Sequence, residues 1–346
     1  MTVITDIRQV TPTWLTEILR ANRFSATVTA FDITKSKNTN NSLVYHLRLL
    51  GDGTDTPSRL FLKIPKADTL WPEHEIRFYN EIAPLMISKH ADLPFVRCLD
   101  VAYDLQARRS HFLMEDLSDS HFDIDSGEVP TRQHYEQIID GFALLHAFWW
   151  EHPRLGVDIS QRLTSEMINE SVQRAQVKLF ELQNWGKFNF SDEQYALLAN
   201  AVSQWPERRK ERVINGQGIT LVHRDPHPLN FLYPREGGKT KIIDWQSWRV
   251  DTGTDDLAYM MACHWESERR TEMEQDLLKR YYQSLTERGV KNYTWGDCWY
   301  DYRASIIRCL FFLMIAWSPS QSAIWQQRVE RGLRAFQDYH CGELLG

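Results

Sequence analysis

Period-two alternation marks the first part of the chain and gives way to helical spacing further on. Between Ala26 and Ile64, "SLVYHLRLL" sets Leu43, Tyr45, Leu47 and Leu49 on one face, and "GDGTDTP" turns the chain into "SRLFLKI". Alternation interrupted by a polar, glycine-bearing turn predicts an antiparallel meander. Ahead of it, "TPTWLTEILRAN" has Thr11 as a cap, Pro12 in a first turn, and Leu15, Ile18 and Leu19 at helical steps, which predicts a short amphipathic helix. Behind it, "WPEHEIRFYNEIAPLM" predicts a helix that starts at Pro72, presents Ile76, Phe78, Tyr79 and Ile82 as an apolar face and breaks at Pro84. "FVRCLDVAYD" and "SHFLMEDL" add two strands, and the strand-rich region ends near Leu117.

After the polar stretch "SDSHFDIDSGEVP" the period changes. "RQHYEQIIDGFALLHAFWW" carries Tyr135, Ile138, Ile139, Phe142 and Leu145 at helical steps, and Ser191 with Gln194 forms a capping box ahead of "YALLANAVSQW". The exception is Gly218 to Trp245, where "ITLVH", "NFLYP" and "KTKIIDW" are short strand-like runs, the last two joined through Gly237-Gly238. No internal repeat appears. These patterns predict an α+β chain with a strand-rich lobe over residues 1–117 and a mostly helical lobe over 118–346.

Composition narrows the function classes without naming one. With 346 residues, 42% hydrophobic and 25% charged, the chain has the profile of a soluble globular protein. A net charge of −6 argues against a nucleic-acid partner, which needs a basic surface. The five cysteines are widely spread with no metal or redox spacing, as expected of reduced thiols in the cytoplasm. "MTVITDIRQV" lacks the basic start and apolar run of a signal peptide, and "CLFFLMIAW" is too short to span a bilayer, so a buried helix is expected there.

The candidate chemistry centres on "LVHRDPHPLNFLYP", which crowds His223, Arg224, Asp225, His227 and Asn230 between strand-like runs. The next hairpin arm ends in Asp244, inside "KIIDWQ". Folding that hairpin back would bring Asp225, Asn230 and Asp244 to one end of a small sheet. Two carboxylates and an amide oxygen suit a hard cation such as Mg2+, with one carboxylate left for a nucleophile. His-Arg-Asp with Asn five positions after the Asp is also the catalytic-loop arrangement of phosphotransferases of the protein-kinase type.

Order strengthens the match. Lys63 in a strand, Glu75 in a helix, the loop, then a strand-end Asp follow one another as phosphoryl transfer from ATP requires. Lys63 would hold the nucleotide's α- and β-phosphates and Glu75 would hold Lys63, with Lys66 as the local competitor. Asp225 would orient the substrate hydroxyl and take its proton, while Asn230 and Asp244 would ligate Mg2+. Taken singly, Lys63 or Glu75 is an ordinary surface charge; the set points to function. His223 and His227 are expected to fix the loop backbone.

With "FLKIPK", "HEIRFYNEIAP", "FLMEDL", "LLHAFWW", "LVHRDPHPLN", "KIIDWQ", "DDLAYMM" and "YYQSLTERGVKNYTW" in this order, the chain resembles the aminoglycoside phosphotransferase and choline kinase group of small-molecule kinases. Within it, the likeness is strongest to the ecdysteroid-kinase-like branch and its bacterial relatives. The resemblance implies a bilobal protein-kinase-like fold with ATP between a strand-rich N-lobe and a helical C-lobe. It implies adenine bonding along Met114 to Leu117, including Glu115 and Leu117, and a supporting role behind the loop for Asp256. Two departures stand out: the phosphate loop "KSKNTNNSLVY" has no glycine, leaving Asn40, Asn41 and Ser42 to offer donors, and Arg224 and Leu229 stand where the family commonly has glycine.

Only eleven residues separate Asp244 from Asp256, too few for the activation segment of a protein kinase, so the acceptor is expected to be a small hydroxylated molecule. The family draws substrate residues from C-lobe helices, which makes Trp248, Trp295, Asp297, Trp299 and Asp301 candidates for an amino alcohol, a sterol-like alcohol or an aminoglycoside-like acceptor. The same residues serve equally as helix-packing aromatics with solvated acids between them. The alternative to an enzyme is a catalytically silent kinase-like binding protein, motivated by the glycine-free loop.

Overall fold

The computed structural model describes residues 3–39, 41–53, 56–66, 72–320 and 323–345. Of the expected turn "GDGTDTP", Thr54 and Asp55 lie outside the described residues, as does the phosphate-loop candidate Asn40. The chain folds as two units, Met1–Glu128 with Leu232–Ser247, and Val129–Phe231 with Trp248–Gly346.

The first unit is built on an antiparallel sheet of five strands, β1 (Thr27–Asn38), β2 (Ser42–Asp52), β3 (Arg59–Pro65), β4 (Cys98–Asp104) and β5 (Arg109–Glu115), in the order β1-β2-β3-β5-β4. Leu47 and Leu49 of β2, Leu60, Leu62 and Ile64 of β3 and Leu113 of β5 bury one face, over which Leu15 and Leu19 of the helix Pro12–Ala21 pack. Thr11 caps that helix, its hydroxyl accepting from the Trp14 N–H at 3.1 Å. Alternation along β3 puts Lys63 on the opposite face from Leu62 and Ile64.

The expected break at Pro84 does not occur. A helical turn Pro72–Arg77 runs into a π-helical turn Phe78–Ile82 and continues as Ala83–Ile87. Pro84 has no N–H to donate, and the widened turn ahead of it gives its ring room, so the chain keeps its helical course. Phe78 in that turn stacks on Trp245, ring centroids 3.9 Å apart, with Phe95 edge-on at 5.3 Å. The Ile242 N–H donates to the Pro94 carbonyl at 2.7 Å. These contacts anchor Leu232–Ser247 in the first unit, where Phe231–Pro234 lies between His121–Phe122 and Lys241–Ile242 in a three-stranded sheet.

The second unit is mostly helical. The helix Arg132–Trp149 buries Tyr135, Ile138, Ile139, Phe142 and Leu145, the face its spacing predicts, and packs along the helix Ser267–Glu287. Ser191 and Gln194 close their capping box at the start of Asp192–Ala201. "CLFFLMIAW" falls in the helix Trp295–Ala316, with Leu310, Phe311, Leu313 and Met314 buried. Among the described residues no helix is long and apolar enough to cross a membrane.

The strand Ile219–Val222 pairs antiparallel with Arg249–Thr252, from Val222 opposite Arg249 to Ile219 opposite Thr252. That partner strand is not legible in the sequence. "RVDT" carries one aliphatic side chain, and its buried Asp251 is paired with Arg209 and with Arg249, each at 2.7 Å.

Directly after it, Gly253 admits no side chain. A Cβ there would lie 2.3 Å from the Tyr281 hydroxyl and 2.8 Å from His146 Nδ1, which bond to each other at 2.8 Å. Gly253→Ala is therefore expected to destabilise the protein by about 1–3 kcal/mol in urea denaturation. An unchanged midpoint would show that Tyr281 and His146 move aside without cost.

Candidate active site

The first unit gathers three charged groups. Lys63, half-way along β3, directs its ammonium to both oxygens of Glu75, at 3.0 and 2.7 Å, and to Asp244 Oδ1 at 3.1 Å. Glu75 is 4% exposed, sitting in the helical turn Pro72–Arg77. Burial works against the Lys63 charge, but the Glu75 and Asp244 carboxylates outweigh it and hold its pKa above the ordinary lysine value. Burial likewise pushes the Glu75 pKa up, Lys63 opposing and Asp244 adding to the rise. Asp244 follows the strand Lys241–Ile242 in a left-handed conformation, φ +65°, just before Trp245 plugs into the stack on Phe78.

The second unit holds the loop. The buried Asp256 carboxylate, in the short helix Thr254–Ala258, accepts the His223 N–H on one oxygen and the Arg224 N–H on the other, both at 2.7 Å. His146 Nε2 lies 3.2 Å from the same carboxylate. Arg224 is left-handed, φ +74°, a region in which a Cβ is strained by roughly 1–2 kcal/mol and glycine is favoured. Past it, the Asp225 carbonyl accepts from the His227 N–H at 2.8 Å and from Asn230 Nδ2 at 2.9 Å. His223 Nδ1 accepts from the Asp225 N–H at 3.3 Å, and His227 Nε2 is 3.7 Å from Asp225 Oδ2.

The Asn230 bond orients its amide. A carbonyl partner demands the amide nitrogen, so Oδ1 is the atom left to face a cation. Among the described residues no three His, Cys, Asp or Glu side chains converge as a metal-binding group. Asn230 Oδ1 in the second unit and the Asp244 carboxylate in the first are each hard oxygen donors of the type that Mg2+ takes.

Residues 67–292, well over half of the chain, match the family described as Ecdysteroid kinase-like. The chain belongs to that family. This kinase-like chain also matches solved structures across nearly its whole length. A protein assigned as an aminoglycoside phosphotransferase from Ralstonia eutropha superposes with a TM-score of 0.56 at 15% identity, covering 96% of this chain and 98% of that one. Choline kinase from Cryptosporidium parvum gives 0.51 at 11% identity, covering 96% and 95%. The GDP complex of aminoglycoside 2′-phosphotransferase-IIIa gives 0.54 at 11%, covering 95% and 99%. The fold is the α+β protein-kinase-like one. No curated protein sequence is significantly similar to the chain.

Other expected site residues of this ecdysteroid kinase-like protein are engaged as follows. The Ser42 N–H donates to the Thr39 hydroxyl at 2.9 Å, and Ser42 is buried. The exposed Asn41 gives its carbonyl to the Lys66 N–H at 2.8 Å, and the Lys66 ammonium bonds the Thr39 carbonyl, which separates Lys66 from the Lys63 cluster. Glu115 ends β5, where burial raises its pKa against the pull of Arg97 and Lys241. The Leu117 carbonyl accepts from the Ser120 and His121 N–H groups.

Trp248 is buried. Trp295 and Trp299 stack 6.4 Å apart, and Trp299 meets Tyr339 edge-on. Asp297 caps its helix, accepting the Thr294 N–H at 2.8 Å and pairing with Arg208. Asp301 is buried between Arg212, at 2.5 Å, and the Tyr293 hydroxyl, at 2.9 Å. Sequence reasoning attached no role to Arg208, Arg209 or Arg212, whose charges neutralise these acids and Asp251 from about 40 to 90 residues away, beyond the reach of any local pattern.

Asp256→Asn should leave an amide nitrogen facing backbone donors. A loss of about 2–4 kcal/mol in stability is expected by thermal or chemical denaturation. Wild-type stability in that variant would mean the loop is held by other contacts.

Proposed function

We propose that this protein is an ATP- and Mg2+-dependent small-molecule kinase of the cytoplasm, transferring the γ-phosphoryl group to a hydroxyl of a small organic acceptor. The observation that carries the proposal is the Lys63 ammonium held between Glu75 and Asp244, together with a loop in which Asn230 braces the Asp225 backbone. Lys63 neutralises the α- and β-phosphates, and Glu75 keeps it extended for that task. Asn41 and Ser42 lie at the turn that would face the phosphates, and the backbone from Met114 to Leu117 would bond the adenine. Asn230 and Asp244 hold Mg2+, which when bound neutralises charge on the transferring group. Asp225 orients the acceptor hydroxyl and accepts its proton as the new oxygen–phosphorus bond forms and the bond to ADP breaks.

The two carboxylates around Lys63 leave that cluster with one negative charge in excess, which favours a divalent cation there. The family description and the kinship in fold with choline kinase and an aminoglycoside phosphotransferase support a small hydroxylated acceptor of the amino-alcohol, sterol-like or aminoglycoside-like kind.

A second reading, binding without catalysis, draws on the turn between β1 and β2. There Thr39 and Ser42 spend their N–H groups on each other's oxygens rather than presenting them to a phosphate. Calorimetric titration with ATP separates the two. Kinase function requires binding that depends on Mg2+ and weakens at least about tenfold in Asp244→Asn, with Asp225→Asn retaining the nucleotide but losing about 10²–10⁴-fold in turnover on acceptors found by screening those three alcohol classes. Full turnover in Asp225→Asn would overturn its role; binding without turnover on any of them would favour the silent protein.

A further inference from the structure

The sheet face that carries Lys63 also holds side chains to which the transfer step itself gives no role. Leu60, Leu62 and Ile64 of β3 turn into the apolar core, so Phe61 and Lys63 look the other way; pairing with β2 sets Val44 beside Lys63 and His46 beside Phe61. All four are partly exposed. The His46 ring stands edge-on to the Phe61 ring, centroids 5.2 Å apart and planes at 76°, so the two make a corner rather than a stack. Asp116, just past the end of β5, fixes that corner. Its buried carboxylate bonds His46 Nδ1 at 2.8 Å on one oxygen and accepts the Ser118 N–H at 2.9 Å on the other, and the link to β2 reaches across β3, which lies between β2 and β5. Burial works against the Asp116 charge, but the bonds from His46 and Ser118 outweigh it and hold its pKa below the ordinary carboxylate value.

An ionised carboxylate only accepts, so Asp116 fixes a proton on His46 Nδ1 and leaves Nε2 as the nitrogen presented outward. Among the described residues nothing bonds Nε2, and it is not sealed from solvent. We propose that Phe61 and His46 receive the nucleoside part of the nucleotide, the base against the Phe61 ring and a ribose hydroxyl on His46 Nε2, so that the site selects ribonucleotides over deoxyribonucleotides. The inference rests on the kinase reading, which puts the phosphates at Lys63. Two residues along β3 span about 7 Å, the reach of a sugar between phosphate and base, so Phe61 lies at the level of the base and His46, one strand over, beside the sugar. Base–aromatic stacking is favourable whichever base is bound, and a hydroxyl, which both donates and accepts, suits a neutral imidazole and an imidazolium alike. A His–Asp pair that only braced the sheet would gain nothing from an accessible Nε2.

The test is calorimetric titration of the full chain, in the presence of Mg2+, with ATP and with its 2′-deoxy and 3′-deoxy analogues. The wild type is expected to bind ATP about three- to tenfold more tightly than at least one of the two analogues, the loss of one hydrogen bond. His46→Leu should bind all three nucleotides alike. Phe61→Ala should bind all three about fivefold or more weakly while keeping the preference for ATP. Each preference is a ratio taken on one protein sample, so a variant that is only partly folded still reports it. Equal affinity of the wild type for the three nucleotides, or a preference that survives in His46→Leu, would overturn the role of His46, and undiminished binding in Phe61→Ala would overturn that of Phe61; either result leaves the kinase reading standing. No binding of any nucleotide by the wild type would overturn both.

Discussion

The hold of one buried carboxylate on two successive N–H groups shapes the second unit around the loop from His223 to Asn230. Asp256 has no solvent to stabilise its charge, and it takes its hydrogen bonds from the His223 and Arg224 backbone and the His146 ring. Those bonds pin the chain where it must turn left-handed at Arg224, a conformation the residue would not choose alone. The direction in which Asp225 leaves the strand Ile219–Val222 follows from that turn. The same carboxylate explains why Gly253 cannot carry a side chain, since the His146–Tyr281 pair that backs it fills the space.

The first unit solves a different problem, keeping a flexible ammonium in one place. Strand alternation alone aims Lys63 away from the apolar face of the sheet, but it does not fix four rotatable bonds. Glu75 does so by meeting the ammonium with both oxygens, and the Phe78–Trp245 stack ties the helical turn bearing Glu75 to the segment bearing Asp244. The π-helical turn at Phe78 belongs to the same arrangement, because it lets the helix pass Pro84 without kinking away.

How much of this is legible in the sequence depends on distance along the chain. The Thr11 cap, the alternation of "SLVYHLRLL" and the Ser191–Gln194 box are local, and local propensity and structure agree. The protein-kinase-like fold is legible for a related reason: Lys63, Glu75, the loop and Asp244 follow in an order that few other folds produce. Which group holds which is not legible. Asp297 and Asp301 look like solvated acids among aromatics until Arg208 and Arg212, 89 residues earlier, are folded against them. The strand Arg249–Thr252 is hidden for the same reason, its buried aspartate being paired with Arg249 next to it and with Arg209, 42 residues earlier. At Pro84 the failure is of another kind, because a rule about proline assumes an α-helical turn ahead of it and the chain supplies a wider one.

The two charge clusters are imbalanced in opposite senses. Around Lys63, two carboxylates face one ammonium; around Arg209, two carboxylates face four guanidiniums. A buried ion pair that merely stabilised the fold would tend toward neutrality, since each unmatched charge costs several kcal/mol of desolvation in order of magnitude. Arg224 sharpens the point. At a left-handed position glycine relieves strain, and at a desolvated position an uncharged residue relieves charge, so an arginine there is opposed on both counts. What holds Arg224 there is the Asp256 carboxylate, which accepts its N–H and so sets the left-handed turn whatever the side chain.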